Sequence, residues 1–197
     1  MLCRFYPVRG RAAIVTIMRL GYFTQPVHPP AKDYRQVLQE NRDAVLLADR
    51  LGYVEAFFGE HITDRAEPIT SNLMFIASLA HDATNITFGT AAVTLPSYHP
   101  AMVAGHIAMI DHMTDGRFIF GIGPGGLLSD AEMFENMDVD RNDKMLQSID
   151  MILAIWAGEP PYNLKNDYWV ATTERTLNAA IGQGIVSTPL QTPHPPI

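Results

Sequence analysis

Apolar, β-prone runs recur along this chain at 19–23, 54–58, 86–93 and 117–122, with starts 35, 32 and 31 residues apart. Each of the first three is followed by a helix-like stretch. Strands alternating with helices at this interval predict right-handed crossovers and a parallel sheet. The helices have identifiable edges. Asp33 and Gln36 have capping-box spacing, Val37, Leu38, Val45, Ala48 and Leu51 share a face, and Gly52 marks the stop. A second helix over 72–80 is apolar nearly all round and is expected to be buried. A third starts at Pro100 and stops at Asp115-Gly116. A fourth over 142–157 sets Met145, Leu146, Ile149, Ile152, Leu153 and Trp156 on one face, and Gly158 with Pro160-Pro161 ends it. The methionines fall on helix faces and read as core.

After Pro161 the regularity fails. Residues 162–184 read as an extended excursion around Tyr168, Trp169 and Val170, and 189–197 hold four prolines in nine residues, a composition that leads into further structure. Where a fifth strand is due, the sequence stops. Two architectures fit: a complete small open α/β sheet, or the N-terminal half of a (β/α)8 TIM barrel, whose usual size is ~250 residues. The proline-rich end favours the half barrel of parallel (β/α) units. With four strands both sheet edges are expected to be open, which predicts weak stability and self-association as a homo-oligomer.

Composition narrows the function. A length of 197 residues, with 47% hydrophobic and 18% charged, suits one globular core. Cys3 is the single cysteine, which excludes a disulfide framework and a cysteine zinc site. The histidines lack metal spacing such as H-E-x-x-H, so no metal is expected. A net charge of -7 argues against nucleic acid as a partner. No apolar run approaches the ~20 residues of a membrane helix. Residues 1–17 hold Arg4, Arg9 and Arg11 and no acid, and the rest keeps 11 basic against 21 acidic residues. The apolar stretch 12–18 is short and closed by Arg19, unlike a signal peptide. We read 1–17 as an extension outside the domain, with a short targeting segment as the rival reading, and 18–197 as the domain of a cytoplasmic protein.

In either architecture the site lies at the carboxyl ends of the parallel strands. Those ends are Thr24-Gln25-Pro26, Gly59-Glu60-His61, Thr90-Ala91-Ala92 and 121–126. Small residues, a carboxylate and an imidazole are what a flat aromatic cofactor lying on backbone needs. His61 is the sharpest candidate, since an imidazole titrates near neutrality and can move protons. It can equally cap a loop by bonding a carbonyl. Glu60 beside it either orients the ring or is a solvated loop acid. Gly121-x-Gly123-x-x-Gly126 matches the dinucleotide fingerprint in letters. However, Pro124 sits inside the turn, no helix is expected directly after Gly126, and the motif follows the fourth strand. A glycine-rich loop giving backbone access to a ligand is the milder reading. Arg141 and Lys144, at the start of the fourth helix, can bind a phosphate there or be ordinary solvated charges.

These segments together resemble the bacterial luciferase-like flavin monooxygenase family. The resemblance rests on Met18-Arg19-Leu20-Gly21-Tyr22-Phe23, then Ala48-Asp49-Arg50-Leu51-Gly52-Tyr53 followed by Gly59-Glu60-His61. It continues in the run 88–100, in Ile110-Asp111-His112-Met113, and in 115–123. The limonene-monooxygenase-like group is the nearest in flavour. The resemblance implies a (β/α)8 barrel with an excursion between the fourth helix and the fifth strand. It implies reduced FMN, or in one branch a deazaflavin coenzyme, at the carboxyl mouth of the barrel. It implies His61 as the catalytic histidine, and we read Glu60 beside it as its orienter. It further implies a cis peptide at Ala91-Ala92 under the flavin, Gly121 and Gly123 lining it, and Arg141 meeting its phosphate. Gly123 stands where the luciferases proper carry a reactive cysteine, so long-lived luminescence is not implied. The implied reaction is monooxygenation of a small organic substrate by O2, with a separate flavin reductase supplying the cofactor. This chain itself is expected to be inactive, as part of a longer, split or decayed protein. The alternatives are deazaflavin-dependent hydride transfer and a non-catalytic half-barrel fragment.

Overall fold

A computed structural model describes the backbone of residues 3–7 and 16–197, and side chains from residue 18 onward. Strands β1 (Cys3–Pro7), β2 (Thr16–Thr24), β3 (Glu55–Phe58), β4 (Thr87–Thr90) and β6 (Phe118–Ile119) form one sheet in the order β1-β2-β3-β4-β6. From β2 to β6 the pairing is parallel, with Gly21 opposite Glu55, Glu55 opposite Thr87 and Phe88 opposite Phe118. Two expected strands are each split. β5 (Val93–Thr94) and β7 (Ile122–Gly123) leave the main sheet and pair with one another, Val93 opposite Ile122.

Local sequence accounts for the helices. Asp33 accepts the Gln36 N–H and starts α1 (Tyr34–Arg50), and Gly52 with φ +81° ends it in the left-handed region. Val37, Val45 and Ala48 are buried, but Leu51 falls past the last turn and is exposed. Ser71 caps α2 (Asn72–Ala77), which is shorter than expected and not apolar all round in its setting, since Met74 is 77% exposed. α3 (Pro100–Met113) begins on its proline and is closed by Gly116 at φ +72°. A six-residue helix α4 (Leu128–Met133), absent from the sequence reading, follows Gly126 closely. Asp140 caps α5 (Arg141–Ala157). The excursion contains a hairpin of β8 (Asn163–Lys165) and β9 (Val170–Thr172). It is tied to α5 by Trp169 Nε1 on Ser148 Oγ and Asn166 Nδ2 on the Gln147 carbonyl.

The core lies between the sheet and α2, α3 and α5. Phe58, Phe88, Phe118 and Phe120 are fully buried, packed with Ile76, Ile107, Ile152 and Trp156. Among the described methionines only Met151 is buried there, with Met113 and Met145 packed against the core, so their reading as core is corrected: Met74, Met102, Met109 and Met133 are exposed on helices and Met137 is exposed in a turn. On β3 burial alternates, with Ala56 and Phe58 inside and Glu55 and Phe57 half-buried on the other face. No helix among the described residues is long and apolar enough to cross a membrane.

Further chain lies against both outer strands of the parallel sheet, and β1 takes the edge position in place of β2. The sequence reading places 1–17 outside the domain, yet Cys3–Pro7 pair antiparallel with β2 from Thr16 to Leu20. An edge strand offers unpaired N–H and C=O groups to any extended neighbour, and an upstream segment a few residues away meets that need. Residues 1–2 and 8–15 of that stretch lie outside the described residues. At the other edge the proline-rich segment runs beside β6. The Phe120 N–H donates to the Pro196 carbonyl at 2.8 Å, and Gln191 Nε2 donates to the Phe118 carbonyl at 2.9 Å. Gln191 also holds the fully buried Asp111 carboxylate, through its N–H at 2.8 Å and Nε2 at 2.7 Å. The His194 ring stacks on Trp156. A buried carboxylate stripped of its donor costs about 1–3 kcal/mol. Gln191→Ala is therefore expected to lower unfolding stability by about that amount and to speed hydrogen exchange at the Phe120 amide. Unchanged exchange there would show that the segment does not hold the edge.

Candidate active site at the carboxyl ends of the strands

Glycines allow the strand ends to converge. A Cβ on Gly121 would stand 1.8 Å from the Thr90 carbonyl oxygen, and one on Gly59 would stand 2.4 Å from Gln25 Cγ. Thr90 Oγ1 donates to the Gly121 carbonyl at 2.7 Å, and the Val93 N–H donates to the same oxygen at 2.9 Å. The Ala91-Ala92 peptide between them is cis, as the resemblance implies. The Ala91 N–H donates to the Phe58 carbonyl at 2.7 Å, which ties this bend to β3.

Above these ends opens a cleft of about 600 Å³. His61, Glu60, Ala91, Ala92 and Gly123 all line it, together with Gln25, Glu67 and Gly125. Gly121 does not line it. Arg141, half-buried at the start of α5, donates to the Gly125 carbonyl at 2.9 Å and lines a small adjoining recess with Ser97, His61 and Asp130. Lys144 is not part of the cleft. Its amine donates to Asn136 Oδ1 at 2.7 Å and sits 4.8 Å from the Trp169 ring centre, and burial lowers its pKa.

The His61 backbone is pinned by its N–H on the Ile69 carbonyl at 3.0 Å. Its ring has three polar neighbours. Nδ1 lies 3.3 Å from Asp130 Oδ2, while Nε2 lies 2.9 Å from Gln25 Nε2 and 3.2 Å from Glu67 Oε2. Glu67 Oε2 is buried and, among the described residues, is met by no hydrogen bond. Glu60 is not the ring's orienter, which corrects the expectation. Its carboxylate is 7% exposed and turns to the backbone, accepting the Asn72 N–H at 3.2 Å and the Thr94 N–H at 3.1 Å. It thereby joins the start of α2 to β5. Burial pushes the Glu60 carboxyl up, against the pull of those two hydrogen bonds. Burial, with the Glu60 charge beside it, likewise pushes the Tyr98 hydroxyl up.

Asp130 is the residue that sequence reasoning missed. It lies on α4 and accepts the Thr63 N–H at 2.8 Å, the Thr63 hydroxyl at 2.6 Å and the Ile62 N–H at 3.2 Å. The available signal was weak: six helix-compatible residues between Gly126 and Asn136 are too few to show a face. Burial raises the Asp130 carboxyl, but the Thr63, Ile62 and His61 hydrogen bonds outweigh it and hold the carboxyl below the usual range. Such a group contributes its full stability above the ordinary Asp value of ~3.9 and loses it as pH falls through the lower folded value. Asp130→Asn is expected to destabilise the chain at pH 6. Denaturant midpoints of the two chains should converge as pH falls below ~4. A gap independent of pH would show that the carboxylate's charge is not what Thr63 and Ile62 hold.

Among the described residues no cluster of His, Cys, Asp and Glu could hold a metal. The model of the luciferase-like monooxygenase family matches residues 18–197. Limonene 1,2-monooxygenase of Rhodococcus erythropolis is 37% identical over 139 residues, covering 71% of this chain and 36% of the relative. The oxygenase component of the flavin-dependent trigonelline monooxygenase of Acinetobacter baylyi is 29% identical over 165 residues, covering 83% of this chain and 43% of the relative. The oxygenating constituent of 3,6-diketocamphane monooxygenase of Pseudomonas putida, solved in complex with FMN, superposes with a TM-score of 0.76 at 28% identity, covering 81% of this chain and 45% of that one. The chain thus spans less than half the length of each, and its sheet of alternating strands and helices corresponds to the N-terminal half of their barrel.

Proposed function

The chain belongs to the luciferase-like monooxygenase family, and from that premise we propose that its strand-end cleft binds reduced FMN for monooxygenation of a small organic substrate. In that reaction one oxygen atom of O2 enters the substrate and the other leaves as water. A separate flavin reductase supplies the reduced cofactor, and the name of the trigonelline oxygenase component supports that division. Reduced flavin supplies the electrons that activate O2.

The observation that carries the reading is the floor of the cleft. Ala91, Ala92 and Gly123 present backbone and methyl groups only, facing His61 across about 600 Å³, a volume suited to a cofactor. The floor is tightly packed, since a Cβ on Gly123 would stand 3.2 Å from Ala92 Cβ. A flat ring fits such a surface where side chains would lift it. Arg141 and the Gly125 backbone stand where a phosphate at the end of that ring system can be met, and the guanidinium keeps donors beyond the one spent on Gly125. His61, aimed into the cleft by Nε2, holds or moves the proton that oxygen transfer requires. Glu60 fixes the floor by holding Thr94 to α2.

Flavin fluorescence titration of this chain tests the reading. FMN should bind more tightly than riboflavin, and Arg141→Gln should remove ~10-fold of FMN affinity, the worth of a charged hydrogen bond, while leaving riboflavin unchanged. His61→Ala should leave FMN affinity within a few-fold. In any form of the protein that turns over, the same change should lower substrate-dependent O2 uptake by ~10²–10⁴-fold. Equal loss of both flavins in Arg141→Gln would remove Arg141 from the phosphate. Binding of a deazaflavin in place of FMN would turn the assignment to hydride transfer.

A further inference from the structure

We propose that Asp130 is the positioning residue of His61: it holds the Nδ1–H form of the ring, so that a bare Nε2 is the nitrogen presented to the cleft. The inference rests on reading the cleft as the reaction site, but its chemistry is local.

The direction of the bonds decides the ring. Asp130 Oδ2 faces both the Ile62 N–H at 3.2 Å and His61 Nδ1 at 3.3 Å. Asp130 Oδ1 faces the Thr63 N–H at 2.8 Å. A backbone N–H can only donate, so both oxygens act as acceptors, and the ring nitrogen shared with them must supply a hydrogen. On the other side of the ring, Nε2 meets the Gln25 amide nitrogen at 2.9 Å, a donor that a bare nitrogen can accept. Gln25 and Glu67 line the cleft, whereas Asp130 lies behind in the adjoining recess. The ring therefore spans from a structural carboxylate to the open side.

The carboxylate is itself well anchored. Asp130 is 8% exposed, and α4 is fastened beyond it by the Asn136 N–H on the Ala131 carbonyl at 2.7 Å and by Asn136 Nδ2 on the Pro96 carbonyl at 3.1 Å. Thr63 binds it with both N–H and hydroxyl, so the loop after β3 and the helix after β7 are clasped through one side chain. The rival holder is Glu67, whose Oε2 is 3.2 Å from Nε2. It would select the opposite tautomer. The other charged groups around the ring are Glu60, spent on Asn72 and Thr94, Asp64 in the cleft wall, and Arg141 in the recess.

Nitrogen-15 NMR of histidine-labelled chain reads the tautomer directly, with His61 assigned from the spectrum of His61→Gln and the pH set where the ring is neutral. We expect Nδ1–H to exceed Nε2–H by ~10-fold, the preference a hydrogen bond to a carboxylate confers. Asp130→Asn should bring the ratio down towards unity, because a neutral amide oxygen accepts the ring N–H more weakly than a carboxylate does. Thr63→Val loosens the same loop but keeps the carboxylate, and should leave the ratio as in the parent, as should Glu67→Gln. An Nε2–H ring in the unaltered chain, an unchanged ratio in Asp130→Asn, or inversion in Glu67→Gln would each overturn the proposal. If Asp130→Asn does not fold, the parent and Glu67→Gln spectra decide. No flavin is needed, so failure of FMN binding in the titration above is a separate result.

Discussion

Thr90 and Gly121 approach so closely that no side chain can stand between them: a Cβ on Gly121 would lie 1.8 Å from the Thr90 carbonyl oxygen. At this point two neighbouring strands stop pairing as β4 and β6 and resume, re-aimed, as β5 and β7. The Gly121 carbonyl takes two bonds here, from the Thr90 hydroxyl and the Val93 N–H, so the bend is satisfied rather than left open. Everything in the cleft hangs from it. Ala91 and Ala92 reach the surface because the chain turns, and Gly123 lies beside them because β7 follows β5.

Three loops arrive at that floor, and buried carboxylates lace them together. Glu60 joins the start of α2 to β5, and Asp130 joins α4 to the loop after β3. The two acids answer burial differently. Glu60 is pushed up because desolvation outweighs its two backbone donors, and Asp130 is held down because donors from Thr63, Ile62 and His61 outweigh desolvation. The same functional group, a carboxylate, is thereby made into two different tools by its surroundings. His61 sits between Asp130 and Glu67, 3.3 Å from the first and 3.2 Å from the second.

The sheet edges follow a different logic. A parallel sheet that does not close on itself exposes backbone on both sides. Here β1 covers one side by antiparallel pairing, and the proline-rich segment covers the other with few backbone bonds but with Gln191 seated on the buried Asp111. Proline cannot donate to a ladder, so a side chain supplies what the backbone lacks. The expectation of two open edges counted only the four repeating strands, and neither covering segment is one of them.

The sequence by itself determined the alternation of strands and helices, the helix starts at Asp33 and Pro100, and the strand ends where His61, Ala91, Ala92 and Gly123 meet. These are local: a period, a cap or a glycine reports on its own few residues. What only the tertiary structure decided is who faces whom. Asp130 reaches His61 across 69 positions, Glu60 turns to Thr94 rather than to its neighbour, and Gln191 finds Asp111 across 80. Adjacency in sequence suggested Glu60 for the ring, but adjacent residues at a strand end point apart, and a buried carboxylate goes to whichever donors the fold leaves unpaired.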